Sequence, residues 1–436
     1  MTVSLVKFDG SLGSLRRAIE LCGGFEKLDR NDKVLIKPNN SFRHKLVPPY
    51  GVVTTSKILD GLIQLLLEHG YKDISIGEGN IADVIGSDTR RGYRWAGIDR
   101  VAKRYGVKLI DFNQGPFQEL DLGGVKVQVS KTALEADFLI NVPVLKTHSQ
   151  TKVSLGFKNL KGCLSIASRK RFHTTNRLDT LICLLNEAIR SRLVIIDGIY
   201  MLEKGPDNLL GVAHRKDLII ASPDVFACDV VGATILGIDP LQVGYLREFA
   251  ERHNRSLDIS AIQTEGEDIE ALKENLEWKP DIIKELFAPA KISGLSLPYP
   301  GGTLCSGCYV ILSFALLAFS KGNPKRDFDN AELYCGQLYC EKEVKSTRPA
   351  QKILLYGDCA IRNNKNLQDA SKIEGCPPTF RNTLFVLMKT LLTKPTMLRM
   401  ILLMTMKLIG IRLGIYREVF SKWERYRSKE FDKTLF

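Results

Sequence analysis

The sequence lacks the signals of export and of membrane insertion. No basic start followed by an apolar run opens the chain, because Lys7 and Asp9 already interrupt its first ten residues. The apolar stretch at 309–319 is shorter than the 18 or more residues, roughly, that a membrane-spanning helix needs. These absences predict a cytoplasmic protein in which residues 309–319 form a buried helix.

Signatures of nucleotide and nucleic-acid binding are also missing. Residues 77–79 read Gly-Glu-Gly, which is not a G-x-G-x-x-G pattern, and no Walker A pattern occurs. A dinucleotide site and a P-loop are therefore unsupported. The formal net charge is +13, yet no recognition helix, RNA-binding signature or zinc-finger spacing accompanies it. Nucleic acid consequently ranks below other partners.

Acidic residues are absent from one long segment, 138–178. It holds eight lysines and arginines together with His148 and His173. Positive charge concentrated without acids raises the local potential and favours a small anionic ligand, such as a carboxylate or a phosphate. The alternative is a solvated basic face with a surface histidine.

Short β-branched runs alternate with helical patterns through the first 240 residues. The predicted helix at 55–69 places its leucines and isoleucines on one face. This alternation predicts an α/β fold with a mostly parallel sheet flanked by helices. The predicted strands are 33–37, 73–76, 108–111, 138–144, 193–197 and 217–221.

Polar residues follow several of these strands, at the sheet edge where α/β proteins bind ligands. Lys146 and His148 come after the fourth strand, and Lys158 lies further along the acid-free segment. We take these three as candidate catalytic residues, with His148 as a general base or metal ligand because its neutral form is available near pH 7. The candidate ligand-binding residues are Lys37, Asn39, Glu78, Lys161 and Asp197.

Cysteine is concentrated between residues 305 and 376, which hold six of the ten. Cytoplasmic thiols stay reduced, so this cluster indicates metal ligands or redox groups rather than disulfides. Four converging thiolates predict a [4Fe–4S] cluster, with zinc as the alternative and unrelated free thiols as a third reading. Cys335 and Cys340 are second choices that would replace one pair or form a separate redox dithiol. The preferred metal ligands are Cys305, Cys308, Cys359 and Cys376.

Three segments follow from these patterns: an α/β domain at 1–297, a smaller cysteine-rich module at 298–380 and a helical basic tail at 381–436. The Pro- and Gly-rich residues 298–302 suggest the first boundary. The tail carries twelve Lys and Arg against four Asp and Glu, so 12 − 4 = +8. An apolar, basic helix suits peripheral contact with an anionic membrane surface. The alternative is a helical hairpin packed on the protein itself or on a partner.

Ordered sequence blocks in the first domain resemble the uncharacterised DUF362 family. The blocks are NVPVLKTH at 141–148, KNLKG at 158–162, DG at 197–198, EKGP at 203–206, SPDVFACD at 222–229 and GIDP at 237–240. The resemblance implies an association with iron–sulfur cysteines. It also implies a distant similarity of fold to nickel-pincer lactate racemases, in which Lys158 and His148 would play the parts of a cofactor-anchoring lysine and a catalytic histidine.

Three functional hypotheses result. The first is an iron–sulfur oxidoreductase or electron-transfer protein with a redox partner protein and a small-anion site on the α/β domain. The second is an accessory protein with a structural metal site and a tail that docks on a membrane or a partner. The third is an isomerase similar to lactate racemase.

Overall fold

The structure, a computed structural model, describes residues 1–40, 48–80, 88–175, 177–279, 281–298, 304–336, 352–402 and 425–436. The chain forms two compact units. The first is Met1–Lys279 together with Glu430–Phe436, and the second is Pro280–Lys429. The chain therefore leaves the first unit at Lys279 and returns to it at Glu430. The boundaries expected from sequence, after 297 and after 380, differ from this division, and residues 299–302 of the expected linker lie outside the described residues.

A large, mostly parallel mixed sheet forms the centre of the first unit, which confirms the predicted α/β class. Its central order is β12-β1-β11-β10-β7-β2-β3-β4, with β8 and β9 attached to β10, and β5 and β6 form a separate hairpin. The strands are β1 (Val3–Lys7), β2 (Val34–Pro38), β3 (Ile74–Glu78), β4 (Lys108–Asp111), β5 (Phe117–Asp121), β6 (Lys126–Ser130), β7 (Phe138–Val142), β8 (Val144–His148), β9 (Lys152–Val153), β10 (Leu193–Glu203), β11 (Val212–Ser222) and β12 (Thr264–Gly266).

The central strands are buried along their whole length, as continuous apolar runs predict for a sheet covered on both faces. The run expected at 138–144 is two strands, because Pro143 has no backbone N–H to continue the ladder. β7 pairs with β2, whereas β8 pairs with β10. Lys146 and His148 were expected just after a strand, and the structure instead places them on β8.

Helices cover this sheet, and α2 shows how their sequences place them. Its residues Ile58, Leu59, Leu62, Ile63 and Leu66 are fully buried and lie on one face. The helices of the first unit are α1 (Leu12–Leu21), α2 (Ser56–Glu68), α3 (Thr89–Trp95), α4 (Ile98–Tyr105), α5 (Lys131–Leu134), α6 (Gly156–Asn159), α7 (Ile166–Thr174), α8 (Leu178–Ala188), α9 (Val225–Ile235), α10 (Gly244–His253) and α11 (Ile269–Leu272). A 3₁₀ turn, Leu160–Cys163, continues α6.

The second unit has a four-stranded parallel sheet of its own. In order across the sheet its strands are β13 (Ser293–Ser296), β14 (Asp327–Cys335), β15 (Lys352–Tyr356) and β16 (Ser371–Ile373). Its helices include α12 (Ser306–Gly322), α13 (Gly357–Asn363) and α14 (Phe380–Leu391), and residues 394–402 are helical as well. The apolar stretch at 309–319 lies within α12 and is mostly buried. No helix in the described part of the chain has the length and apolarity to span a bilayer.

The expected basic tail is divided between the two units. Its first part is helical, its residues 403–424 lie outside the described residues, and its end returns to the first unit. We call Glu430–Phe436 the returning segment. Phe431 packs against Tyr50 and Tyr200 with ring centroids 4.9 and 5.6 Å apart, and Phe436 lies 5.5 Å from Tyr50.

Candidate functional site

A buried ion pair marks the ends of two neighbouring strands, β2 and β3. Lys37 Nζ lies 2.8 Å from Glu78 Oε1, and neither side chain is exposed. The Glu78 carboxylate also accepts hydrogen bonds from the backbone N–H groups of Asn40 and Gly79, at 2.7 and 2.8 Å. Such additional bonds offset part of the cost of burying two charges. Both residues were expected at this edge of the sheet, and the structure uses them as one buried pair.

Lys146 is joined to the same edge through Asn39. Its Nζ donates to Asn39 Oδ1 at 2.6 Å and to the carbonyl of Val52 at 2.8 Å. Asn39 Nδ2 in turn donates to Asn159 Oδ1 at 3.0 Å, and Asn159 Nδ2 donates to Asn141 Oδ1 at 2.8 Å. Burial lowers the pKa of Lys146 to about 7, although the carboxylates of Asp207 and Glu78 act in the opposite direction. Lys146 is thus a buried amine that can exchange a proton near neutral pH.

A basic site surrounds His148. We use this name for Lys146, His148, Lys158, Lys161 and His173. Burial lowers the pKa of His148 well below its ordinary value, and the fields of Lys158, Lys146, Lys161 and His173 lower it further. The imidazole is therefore neutral near pH 7. The backbone N–H of Gln150 donates to His148 Nδ1 at 3.0 Å. His148 consequently carries its proton on Nε2 and presents a donor rather than a base at that nitrogen.

His173 belongs to this site through Lys161. Lys161 Nζ lies 2.9 Å from His173 Nε2, and 5.6 Å from the centre of the Phe172 ring. Burial, together with the charges of Lys161 and Lys158, lowers the pKa of His173 well below its ordinary value. The acid-free composition of 138–178 pointed to this segment. His173 was nevertheless missed as a site residue, because no pattern predicts which side chain of α7 meets Lys161.

Two buried aspartates fasten the segments that carry these groups. Asp229 accepts from the backbone N–H groups of Gly156 and Phe157 at 2.7 and 2.9 Å, so it caps α6, which bears Lys158. Burial raises the pKa of Asp229 to about 8. Asp197, expected as a ligand-binding residue, accepts from both the N–H and the hydroxyl of Thr55, at 2.7 and 2.9 Å. The structure thus uses Asp197 to hold the start of α2.

The second unit brings together the four cysteines proposed as metal ligands. A hydrogen bond with Cys305, then burial and the fields of Cys305, Cys376 and Cys359, raise the pKa of the Cys308 thiol well above its ordinary value. Two hydrogen bonds hold the segment with Cys359 beside the segment with Cys376. The N–H of Asp358 donates to the Gly375 carbonyl at 3.1 Å, and the N–H of Gly375 donates to Asp358 Oδ1 at 2.8 Å. Three separate stretches of chain therefore meet at the ends of parallel strands β15 and β16.

The four thiols are near one another but are not arranged as a metal-binding site in this structure. Within the described residues, no three side chains among His, Cys, Asp and Glu are arranged to hold a metal ion. Electrostatic influence extends further than a metal–ligand bond, so the two observations agree. The set of four thiols has the chemistry that an iron–sulfur cluster or zinc requires. Cys335, at the end of β14, is buried, and burial alone raises its pKa to about 12. Cys340 lies outside the described residues.

Comparison with known families finds a similarity in the part of the chain that holds the first of these two sites. Residues 34–234 match the family model described as a domain of unknown function, DUF362. On the basis of this similarity we refer to residues 34–234 as the DUF362 domain. All five residues of the basic site lie inside the DUF362 domain, as do Lys37, Asn39, Glu78 and Asp197, whereas the four thiols lie outside it.

Two further similarities concern individual proteins. A thylakoid-associated protein of Synechocystis sp. is 29% identical over 238 residues, which is 53% of this chain and 72% of that protein. Among solved structures, the lactate racemase apoprotein from Thermoanaerobacterium thermosaccharolyticum is similar with a TM-score of 0.34 and 14% identity. That likeness covers 53% of this chain and 56% of the racemase, and it transfers no residue roles to the DUF362 domain.

Proposed function

We propose that this protein is an iron–sulfur oxidoreductase or electron-transfer protein whose DUF362 domain binds a small anion. The observation that carries the proposal is the convergence of Cys305, Cys359 and Cys376 on Cys308. These residues come from three stretches that are far apart in sequence. Cysteines that only fill the core would not be expected to lie near one another in this way. A bound [4Fe–4S] cluster would supply one-electron transfer.

The protein's own contribution at this place is to hold and position the thiols. Cys305 is the residue before α12, so it and Cys308 lie one helical turn apart. Tyr356 Oη donates to the Cys308 carbonyl at 3.2 Å and ties the start of α12 to the end of β15. Cys359 lies in the first turn of α13, where the positive end of the helix dipole favours a thiolate.

The basic site would hold the anion. Three lysines and two neutral histidines contribute N–H groups there, and Glu78, the nearest carboxylate of the β3 edge, is already paired with Lys37. Three lysines set against Asp207, the other carboxylate that acts on Lys146, favour an incoming negative charge. The pKa of Lys146, about 7, would let it take up or release a proton as the ligand reacts.

Metal analysis of the full chain, purified without oxygen, tests the proposal. Iron and acid-labile sulfide in a ratio near one, with a broad absorption near 400 nm, are expected. Cys359→Ser and Cys376→Ser should each lose most of the iron. Cys335→Ala is the matched control and should retain it, because burial alone shifts the pKa of that thiol. Zinc without iron or sulfide would instead show a structural metal site.

Docking on an anionic membrane surface is a second candidate function, and one observation favours it. Leu398, Ile401 and Leu402 are 69%, 41% and 60% exposed on the helix at 394–402. Their spacing places them on one face of this helix, opposite Met400, which is buried. The positive charge of the tail complements anionic lipid. The name of the thylakoid-associated relative agrees with such a role.

A further inference from the structure

We infer that His173 is a ligand-binding residue of the basic site, and that its Nδ1–H donates a hydrogen bond to an oxygen of a bound carboxylate or phosphate. This inference rests on the proposed anion site and adds to it the protonation of the two imidazoles. Four observations lead to it. They are the hydrogen-bond partner of His148, the partner of His173, the enclosure of His173 Nδ1 and the positive charge around both rings.

The position of the proton on His173 follows from its contact with Lys161. A lysine ammonium has three N–H donors and no acceptor. With Lys161 Nζ 2.9 Å from His173 Nε2, the ring nitrogen must be the acceptor. Burial and the neighbouring lysines keep this imidazole neutral near pH 7, so it has a single ring proton. That proton is on Nδ1.

The Nδ1–H of His173 has no acceptor among the residues that the structure describes, although the atom is enclosed. A buried donor without a partner is unfavourable, and natural proteins keep few of them. At a site with other converging donors, a bound ligand would supply the missing acceptor. An oxygen with a lone pair satisfies this donor, whereas another N–H group does not.

His148 has the opposite tautomer and the same chemical character. The N–H of Gln150 occupies its Nδ1, which leaves the proton on Nε2. One nitrogen of each imidazole thus accepts from a neighbouring donor, and the other nitrogen carries the ring proton. The ammonium groups of Lys158 and Lys161 are also donors only, and Lys146 donates both of its hydrogen bonds to protein oxygens. A ligand rich in acceptors and poor in donors matches this set, and a carboxylate or a phosphate has that character.

The surrounding charge agrees with an anion. The charges that lower the pKa of His148 and His173 are those of lysines, and His173 also lowers the pKa of His148. The carboxylates that act on Lys146 are those of Asp207 and Glu78. Glu78 is held by Lys37 and by two backbone N–H groups. Its negative charge is therefore largely compensated, which leaves Asp207 as the carboxylate that offsets part of the positive charge of the three lysines.

Two variants separate the role of Nδ1 from that of the ring as a whole. An asparagine amide places its N–H near the position of Nδ1, whereas a glutamine amide reaches the position of Nε2 and leaves none at Nδ1. Anion binding is measured by calorimetry on the full chain, with inorganic phosphate in one arm and oxalate in the other. The arm that gives binding identifies the class of oxyanion. Thermal unfolding verifies that each variant is folded.

We expect wild type and His173→Asn to bind the preferred anion with similar affinity. His173→Gln should bind it about ten- to a hundredfold more weakly, as expected for one lost hydrogen bond to a charged acceptor. Equal affinity in wild type and His173→Gln would overturn the role of His173 and leave the proposed anion site intact. Equal weakening in both variants would also overturn it, because the ring would then act only structurally.

Two further measurements test the anion site itself and the protonation of the histidines. A wild type that binds neither phosphate nor oxalate would overturn the anion site itself, and the inference with it. Nitrogen-15 NMR of the imidazoles provides a readout that does not depend on binding. Nδ1 of His173 and Nε2 of His148 should be the protonated nitrogens, and protonation of His173 at Nε2 would contradict the assignment.

Discussion

Lys146 is a buried ionisable residue whose two hydrogen-bond partners are neutral. Its Nζ donates to the neutral oxygens of Asn39 and Val52. Neither acceptor carries a negative charge that would balance an ammonium group. Folding therefore favours the neutral amine, and burial lowers the pKa of Lys146 from its ordinary value of 10.5 to about 7. A lysine buried in this way reduces stability near neutral pH, and the proposed anion site would use its proton exchange there.

The pH dependence of stability should reveal this lysine. Because its pKa is lower in the folded state, the unfolded chain binds more protons between pH 7 and pH 10.5, and stability rises with pH across that window. Relative to Lys146→Met, the free energy of unfolding of the wild type should increase by about 2 kcal/mol between pH 7 and pH 9. Lys126→Met, at an exposed lysine, is the control. Parallel pH profiles of wild type and Lys146→Met, measured by denaturant unfolding, would contradict the prediction.

Gly162 is the other residue whose identity the site requires. A Cβ at this position would lie 2.7 Å from Lys37 Nζ and closer still to Glu78 Oε1. The backbone of the 3₁₀ turn after α6 therefore approaches the buried ion pair too closely for any other residue. This close approach explains why the pair is fully enclosed.

Gly162→Ala should lower the free energy of unfolding by about 3 kcal/mol, because the added methyl group must separate a buried ion pair or displace the turn. Gly13→Ala is the matched control on α1. A Cβ there meets only Ser11 Oγ, at 3.3 Å, so the change should range from none to a gain of about 1 kcal/mol. Urea denaturation measures both, and equal stabilities of the two variants would show that the pair accommodates a methyl group.

At the scale of elements, the returning segment Glu430–Phe436 supports the loop that leads into α2. Ser56 Oγ donates to the Leu435 carbonyl at 3.2 Å, and Tyr200 Oη accepts from the N–H of Asp432 at 2.8 Å. The supported stretch, 48–56, includes Val52, whose carbonyl binds Lys146. A segment far along the chain thus stabilises one of the two oxygens that position this lysine.

Phe431→Ala should loosen that stretch. The side chain is buried against Tyr50 and Tyr200, and its removal should lower the stability of the first unit by about 3 kcal/mol. Backbone amides in residues 50–56 should then exchange with deuterium faster than in wild type. Leu241→Ala, at a residue that is 57% exposed, should leave exchange there unaltered. Unchanged exchange in Phe431→Ala would show that the loop is held without the returning segment.

At the scale of the whole molecule, the second unit joins two features that the DUF362 domain does not have. It carries the four thiols, and it exposes the apolar face of Leu398, Ile401 and Leu402. The chain passes through this unit between Lys279 and Glu430 and is anchored in the first unit at both points. Under the proposed function, redox chemistry and surface docking would therefore both be added to the first unit by one insertion.

Flotation with lipid vesicles tests the docking function. Wild-type protein should bind vesicles that contain phosphatidylglycerol and bind neutral phosphatidylcholine vesicles less. Replacing Leu398, Ile401 and Leu402 by serine should weaken binding by about tenfold or more, because their apolar area no longer enters the bilayer. Leu241→Ser controls for the loss of any exposed apolar residue. Undiminished flotation of the triple variant would exclude this face as the contact.

The fold was predictable because its cause is local. Buried parallel strands have continuous apolar runs in their sequence, and Val34, Leu35 and Ile36 of β2 form such a run. The division of 138–144 was missed, because an apolar run does not reveal where its pairing partner changes at Pro143. The placement of residues near one sheet edge also follows from strand order, as for Lys37 and Glu78.

The sequence by itself determined the α/β class, the acid-free segment and the supply of thiols, since each depends on composition or on neighbouring positions along the chain. Only the tertiary structure decided what state these groups are in. The tautomers of His148 and His173 depend on Gln150 and Lys161, and the pKa of Lys146 depends on burial. Protonation responds to the field and the solvent at one point in space, and residues distant in sequence set both.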